Sequence, residues 1–377
     1  MKVLQRYFAV EVLRSVLFVL IAFLALFAFF DLISELQSIG QGGYRLQHAF
    51  LYVLLGLPGY AYELMPIAAL IGTIYVLAQF ASRSEFTIMR AASMSTAMAG
   101  WMLAKIGLIL VLLTFLFGEF VVPASTRLAE TLKLSSQGSS LSQGFRTGLW
   151  TKDVIRSDGT SGNQIGSRFI NVSELRTDGQ LFGVKIYELD LEFHMTALIL
   201  AESAEYVGAN NWRLKNVSST RFSAVGFEDN VASRVAIEKL PSQNMVSEIT
   251  PEILSVLFAD PDRMSALDLA AYTKHLEENK QGTERYEIAF WNKVIYPFAI
   301  LVMMAMALPF AYLHFRSGGV SLKIFAGIMI GVSFQLINNL FSHLGLLNTW
   351  PAFVTAVLPS TLFLLAALSA LFWVERH

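Results

Sequence analysis

The sequence predicts an α-helical membrane protein with six transmembrane helices, grouped three and three, and an all-β jelly-roll domain inserted between helices 3 and 4. Three observations predict it. Six apolar stretches, at about 13–34, 62–81, 98–122, 289–313, 320–344 and 352–374, reach the roughly 20 residues needed to cross a bilayer. Of the 377 residues 54% are hydrophobic and only 15% charged, whereas soluble domains carry about 25% charge. The charge is also unevenly divided: residues 124–288 hold a balance of −5 and the remainder a balance of +4.

The first stretch follows Lys2, Arg6 and Arg14 and runs into "DLISELQS" with no small-x-small cleavage site, so it predicts an uncleaved span rather than a signal peptide. Before the second span, "AFLYVLLGLPGYAY" is apolar but interrupted by Pro58 and Gly59, which predicts a separate interfacial or re-entrant helix. The third span closes residues 1–123. Residues 124–264 read as the β domain. "SRFINV" (Ser167 to Val172) and "FGVKIYEL" (Phe182 to Leu189) alternate with the two-residue period of half-buried strands, and "SDGTSGN", "RTDGQ", "GANNW" and "GFEDN" are turn signals between them. Such a roll either encloses an apolar slot, toward which Val184 and Ile186 point, or has an ordinary filled core. Residues 265–288 predict a connecting helix, capped by Ser265 with Asp268 and ended by Gly282. Residues 289–377 carry the last three spans.

Lys and Arg concentrate at the N-terminus, in the 82–97 link (Arg83, Arg90) and in the 314–323 link (Arg316, Lys323), while the opposite links hold only Arg45. The positive-inside rule then predicts that both termini are cytoplasmic. The inserted domain lies outside, which in a bacterium is the periplasm. Asp31, Glu63, Glu119 and Lys293 fall near the outer span ends, so the span centres are nearly empty of charge and an ion-coupled carrier is disfavoured. There is no phosphate loop of the form GxxxxGK[ST], no HExxH and no GxSxG. The six histidines are scattered, no residues have metal-ligand spacing, and no cysteine is present. No enzyme is expected, nor a nucleic-acid partner.

The link "SRSEFTIMRAA" (Ser82 to Ala92) has the pattern of a short helix. At 100° per residue Arg83, Ser84, Thr87 and Arg90 share one side, and Phe86, Ile88, Met89 and Ala92 the other, with Glu85 among the apolar residues. That acid suits insertion into a groove on a protein partner. Ser82 and Glu85 also match a capping box, so docking and capping both stand.

Several motifs in order resemble the lipopolysaccharide export permease family (LptF/LptG): "GQGGY", "MPIAALIGTIYVLAQFASRSEFTIMRAA", "GEFVVP", "GLWTKD", "DPDRMSALDLAAYTKHL" and "RYEIAFWNKVIYPFAILVMMAMALPF". The run around "FWNKVIYPF" resembles the LptG branch more than the LptF branch. A non-transporting membrane scaffold is the rival from another class.

The resemblance implies a permease subunit of an ABC transporter in the inner membrane of a Gram-negative bacterium, drawing lipopolysaccharide from the outer leaflet. It implies a heterodimer with the paralogous permease, two copies of the ATPase LptB, the single-span LptC and the periplasmic LptA. ATP and Mg2+ would be used by the ATPase, and this chain would bind no cofactor. It makes 82–92 the coupling helix, with Arg83, Glu85, Phe86, Met89 and Arg90 as ATPase-coupling residues. For the lipopolysaccharide cavity the candidates are Phe23, Phe27, Phe30, Asp31, Leu64, Ile67, Phe325 and Ile328. Family lysines at the outer end of the first span suit lipid A phosphates, but this chain has Asp31, Gln37 and Ser38 there. Arg45, Arg127 and Lys133 are the substitute phosphate candidates, with a divalent cation bridging at Asp31 as the second option.

Overall fold

The computed structural model describes residues 2–40, 43–91, 95–137, 148–159, 161–176, 179–222, 235–256, 261–279, 281–312, 320–348 and 350–376. Among them are six helical segments long and apolar enough to cross a membrane. The first is α1 (Lys2–Leu36), and the second is α2 (Leu46–Ser82). The expected break at Pro58 is absent: α2 is one helix of 37 residues with Pro58 and Pro66 inside it. A mid-helix proline removes one hydrogen bond and crowds the preceding turn, at about 3 kcal/mol in an isolated helix. Here α2 is the centre of the bundle, in contact with α1, with α5 (Val122–Gln137), with α9 (Ala299–Ala307) and with α10 (Val320–Asn348). That packing holds the helix through both prolines.

Two close approaches fix the wall around α2. A Cβ on Gly72 would lie 2.7 Å from the Val16 nitrogen and 2.8 Å from its Cα, so α1 crosses α2 in backbone contact. On the other side "GIMIG" presents Gly327 and Gly331 to Ile74 and Ile67 of α2. Small residues four apart are how membrane helices approach closely.

After α2 the chain turns through Arg83 and Ser84 into α3 (Glu85–Ala91), then rises as α4 (Thr96–Leu116). A π-helical turn at Phe117–Val121 joins α4 to α5. The helical path thus continues to Gln137, and the β domain begins at Leu149 rather than at 124. Residues 122–137 are too polar to extend the apolar stretch, which hid the continuation.

The domain is a six-stranded antiparallel sheet in plain sequential order: β1 (Leu149–Asp158), β2 (Ser161–Leu175), β3 (Leu181–Leu189), β4 (Met195–Gly208), β5 (Asn211–Phe222) and β6 (Val235–Val246). The expected strands at 167–172 and 182–189 fall within β2 and β3. "SDGTSGN" and "RTDGQ" fall at their turns, and "GANNW" at the β4–β5 turn, where Ala209 (φ 49) and Asn210 (φ 60) take the two left-handed positions. "GFEDN" lies outside the described residues.

The meander rolls until its first and last strands face each other. Asp153 of β1 accepts a hydrogen bond from the Ser247 hydroxyl (2.7 Å), and Arg156 of β1 pairs with Glu248 (2.7 Å), both just past β6. The roll encloses Val172, Val184, Ile186, Ile199 and Leu214, and α6 (Pro251–Val256) closes one end with Leu254. Trp212 donates its indole N–H to the Ile249 carbonyl at 2.7 Å.

The return to the membrane is a hairpin of α7 (Ala266–Glu278) and α8 (Glu284–Ile295). Ser265 caps α7 as expected, its hydroxyl accepting from the Asp268 N–H, but the helix ends at Asn279, ahead of Gly282. The fourth span runs from α8 into α9 through a one-turn 3-10 segment carrying Pro297, and a second such segment, carrying Pro309, follows α9. Then come α10 and α11 (Ala352–Arg376).

Candidate functional site

The predicted site residues fall in four places along the molecule. At one end of the bundle is α3. Ser84 adopts φ 59, a left-handed turn, and Ser82 remains the last residue of α2 with its hydroxyl donating to the Gln79 carbonyl. The Ser82–Glu85 capping box is therefore not formed. Glu85 is half-buried in the first turn of α3, accepting a hydrogen bond from the Tyr7 hydroxyl (3.3 Å), with Arg83 3.7 Å away. Tyr7 stacks on Phe80. Met89 is buried in the bundle core, whereas Ile88 is 65% exposed. Met89 and Ile88, expected on one face, thus part company: one anchors the helix and the other faces out. The side chains of Phe86 and Arg90 lie outside the described residues.

The second place is the wall formed by α1, α2 and α10. Phe27 packs on Tyr60 of α2 at 5.1 Å between ring centres. Phe23, Leu64 and Ile328 are half-buried, and Phe30 and Phe325 are open. Ile67 is not on an open wall, because it is taken into the contact with Gly331. The exposed apolar faces of α1 and α10 thus flank α2 on its two sides.

Between the C-terminal end of α1, the N-terminal part of α2 and α5 lies a cavity of about 160 Å³ lined by Asp31, Ser34, Glu35, Tyr52, Glu130 and Arg263 among others. The phosphate candidates around it are largely engaged. Lys133 pairs with Glu35 at 2.7 Å and sits over the Tyr52 ring, and Arg127 pairs with Asp268 at 2.6 Å. Arg45 is exposed and forms no ion pair among the described residues. No group of three acidic or histidine side chains converges as a metal site among the described residues, so Asp31 has no ready-made co-ligands.

The third span carries a tether that sequence reasoning missed. Glu119, in the π turn, accepts hydrogen bonds from the Ala266 and Leu267 backbone N–H groups at 2.8 and 3.3 Å. A carboxylate at a helix N-terminus satisfies orphan donors and meets the positive end of the helix dipole.

In the roll, Val184 and Ile186 point inward and are fully buried. The interior cavity is about 10 Å³, room for one water at most. In the single chain the interior is packed, and its seam is closed by a buried ionic cluster. Asp153 is 0% exposed, with Arg168 3.5 Å away, and burial pushes its carboxyl above the ordinary range, against the lowering effect of Arg168.

A polar stripe on α10 was also missed. Gln335, Asn338, Asn339, Ser342 and His343 recur at helical spacing and face Asn292 and Lys293 of α8. Amides carry no formal charge, so the stripe does not stand out as intramembrane charge.

The whole length of this arrangement, bundle and roll together, matches one family model. That model is described as lipopolysaccharide export system permease LptF/LptG, and it covers residues 6–374. The chain is 28% identical over 369 residues to the lipopolysaccharide export system permease protein LptG of Escherichia coli K12, covering 97% of both chains. It is 28% identical over 364 residues to the protein of the same name from Haemophilus influenzae, covering 96% of both. A match of this extent, spanning all six apolar helices and the inserted sheet, shows that the chain belongs to the lipopolysaccharide export permease family LptF/LptG.

Proposed function

We propose that this chain is the LptG-type permease subunit of an ABC transporter that lifts lipopolysaccharide from the outer leaflet of the inner membrane toward a periplasmic bridge. Both termini and α3 lie in the cytoplasm and the roll in the periplasm, following the distribution of Lys and Arg. The LptG assignment over LptF rests on the two LptG relatives and on the run around "FWNKVIYPF". Its partners are the paralogous permease LptF, two copies of LptB, LptC and LptA. The chain is non-catalytic, and ATP and Mg2+ belong to LptB.

One observation carries the coupling role. α3 presents a half-buried acid and an open isoleucine outward while Met89 locks it into the bundle. A force on α3 passes to α1 through the Tyr7–Glu85 bond, and the Tyr7–Phe80 stack ties the same part of α1 to the end of α2. α1 is one continuous helix of 35 residues, about 52 Å long at 1.5 Å per residue. A tilt at Tyr7 therefore displaces Phe23, Phe27 and Phe30 on the same rod. Closing the wall against acyl chains squeezes them outward toward the roll, whose packed interior must open to receive them.

The test is affinity purification of the tagged chain from its own membranes, wild type beside Glu85→Ala, with identification of the retained proteins. An ATPase and a second six-span permease are expected with the wild type, and less ATPase with Glu85→Ala. Recovery of neither protein with the wild type overturns the exporter reading in favour of a scaffold.

A further inference from the structure

α9 packs on α2, on α4 and on α11, while α4 also touches α1 and α11 touches α10. The gap between α4 and α11 therefore lies across α2 and α9 from the wall of α1 and α10. It is a groove of about 270 Å³ with α9 as its floor, lined by Gly100 and Ala104 of α4, Met304 and Ala305 of α9, Leu371 of α11 and Leu308 among others. No lining residue has a polar side chain.

The groove is a wedge. A Cβ on Gly107 of α4 would lie 2.6 Å from Cδ2 of Leu301, so there the two helices touch. A Cβ on Gly100, two turns nearer the start of α4, would meet only Leu308, at 3.8 Å. The third and fourth spans thus part toward their cytoplasmic ends. A dry apolar cavity of about 150 Å³ already takes up benzene. A larger one that opens between two membrane helices takes hydrocarbon from the bilayer.

Its depth selects the leaflet. Gly100 and Ala104 stand about 6–12 Å along α4 from its first residue, Thr96, at 1.5 Å per residue. Leu371 stands about 8 Å back from the end of α11 at Arg376. Half of the hydrocarbon core is about 15 Å thick, so the groove lies in the cytoplasmic half.

The two lips carry matched groups. On α4 the Lys105 ammonium is 5.6 Å from the centre of the Trp101 ring, and on α11 the Arg376 guanidinium is 4.0 Å from the centre of the Phe372 ring. All four side chains are exposed. Trp101 and Lys105 follow the lining residues Gly100 and Ala104 by one position, and Phe372 follows Leu371, a step of about 100° round each helix. As the third and sixth spans, α4 and α11 run in opposite directions, so the same step turns both pairs to the mouth of the groove. Lys105 bends back over Trp101, toward the cytoplasmic end, as a snorkelling lysine does. Aromatic rings with adjacent cations belong at the headgroup level. Two cations at one mouth favour an anionic head over a zwitterionic one.

We propose that this groove holds an acyl chain of an anionic glycerophospholipid of the cytoplasmic leaflet, with Lys105 and Arg376 at its phosphate. The lipid is a resident of the bundle and not its cargo, since it lies on the face opposite the α1 wall. Its chain fills the wedge at the start of α4, the helix that α3 leads into, and so props the end on which α3 bears. The site uses the orientation read from Lys and Arg and no other part of the export reading.

The experiment is native mass spectrometry of the delipidated full chain in detergent, titrated with palmitoyl-oleoyl phosphatidylglycerol or with phosphatidylcholine of the same chains. Gly100→Leu sends a side chain into the groove. Lys105→Gln with Arg376→Gln removes the charge from the exposed lips. Each variant's melting is recorded. The wild type is expected to bind one phosphatidylglycerol at least fivefold more tightly than phosphatidylcholine. Gly100→Leu weakens both lipids at least tenfold and melts higher than the wild type without lipid, because it fills a void. The double variant binds phosphatidylglycerol only as well as phosphatidylcholine, whose own binding is unchanged.

Unchanged binding in folded Gly100→Leu overturns the groove. If that variant does not fold, an undiminished preference for phosphatidylglycerol in the double variant overturns the proposal by itself. Equal binding of the two lipids by the wild type overturns the anionic head. Displacement of the bound phosphatidylglycerol by equimolar lipid A places it on the cargo wall and also overturns the site. None of these outcomes alters whether an ATPase co-purifies, so the site and the exporter reading fail separately.

Discussion

Replacing Ile88 with alanine separates the docking face of α3 from its packing face. Ile88 is 65% exposed and Met89 is 7% exposed on the same short helix. Fully burying an isoleucine stabilises a complex by about 1.5–3 kcal/mol. Two thirds of that surface is open here, so covering it with a partner contributes about 1–2 kcal/mol, or roughly 5- to 30-fold in affinity. Ile88→Ala should weaken ATPase binding by that factor and leave the melting temperature of the isolated chain nearly unchanged, since most of the side chain is open. Met89→Ala should do the reverse, removing core volume at about 2–5 kcal/mol of stability. The assay is titration of the purified ATPase onto the full chain in nanodiscs, with thermal unfolding of each variant alone. Wild-type affinity in Ile88→Ala, with α3 intact, refutes the reasoning and leaves Glu85 as the only described contact on that helix.

Three further outcomes follow from the packing. Gly72→Ala places a methyl within 3 Å of the Val16 backbone and should cost about 1–3 kcal/mol by prising α1 from α2, read as a lower melting temperature and slower transport. Glu119→Ala removes a charged acceptor from two backbone donors at the start of α7 and should cost about 2–3 kcal/mol, read as faster amide exchange in the first turn of α7. His275 is buried, and its pKa is lowered from 6.5 by desolvation, against the raising effects of Asp153, Glu248 and Glu278. The unfolded chain thus binds the proton more readily. The stability it supports is full above about pH 6.5 and is lost as pH falls toward the folded pKa, at about 1.4 kcal/mol per pH unit. His275→Gln should flatten that part of the wild-type melting profile below about pH 6.5.

The spans and the better-patterned strands were legible because their signals are local. About 20 apolar residues, or a two-residue alternation, is settled within the segment itself. Most of the misjudged features depend on neighbours distant in sequence. α2 runs through Pro58 because four helices pack around it, which no window over "LLGLPGYAY" contains. Residues 122–137 stay helical though polar, with Arg127 and Lys133 held by Asp268 and Glu35. The same pairs occupy two of the three cations expected to meet phosphate. Ser82 fails as a cap because Ser84 takes the left-handed turn two residues later. The stripe of Gln335, Asn338, Asn339 and Ser342 was legible, since its spacing is helical and its residues polar, but a survey of formal charge does not register amides.

The contacts at the two ends of α1 constrain how the proposed coupling works. At the α3 end the helix is held by the Tyr7 hydroxyl on Glu85. At the other end Glu35 is 12% exposed and pairs with Lys133 of α5, while the Tyr44 hydroxyl donates to the same carboxylate at 3.0 Å. The Gly43 N–H donates to the Ser136 carbonyl at 2.8 Å and joins the same region to α5. A half-buried, hydrogen-bonded pair of this kind is costly to break by removing one partner. α1 is therefore not a free lever: its outer end is tied to α5, and α5 leads into β1 of the roll. α7, which leads out of the roll, is tied to the same third span through Glu119, and to α5 through Arg127 and Asp268. Under the proposed coupling, displacing α3 would move the α1 wall and both stalks of the roll together. The Asp153–Ser247 and Arg156–Glu248 contacts join β1 to the segment that leads down to α7, so they span the gap between those stalks. Strain between the stalks falls on that seam, and the seam is the edge along which a rolled meander opens without breaking any strand pair.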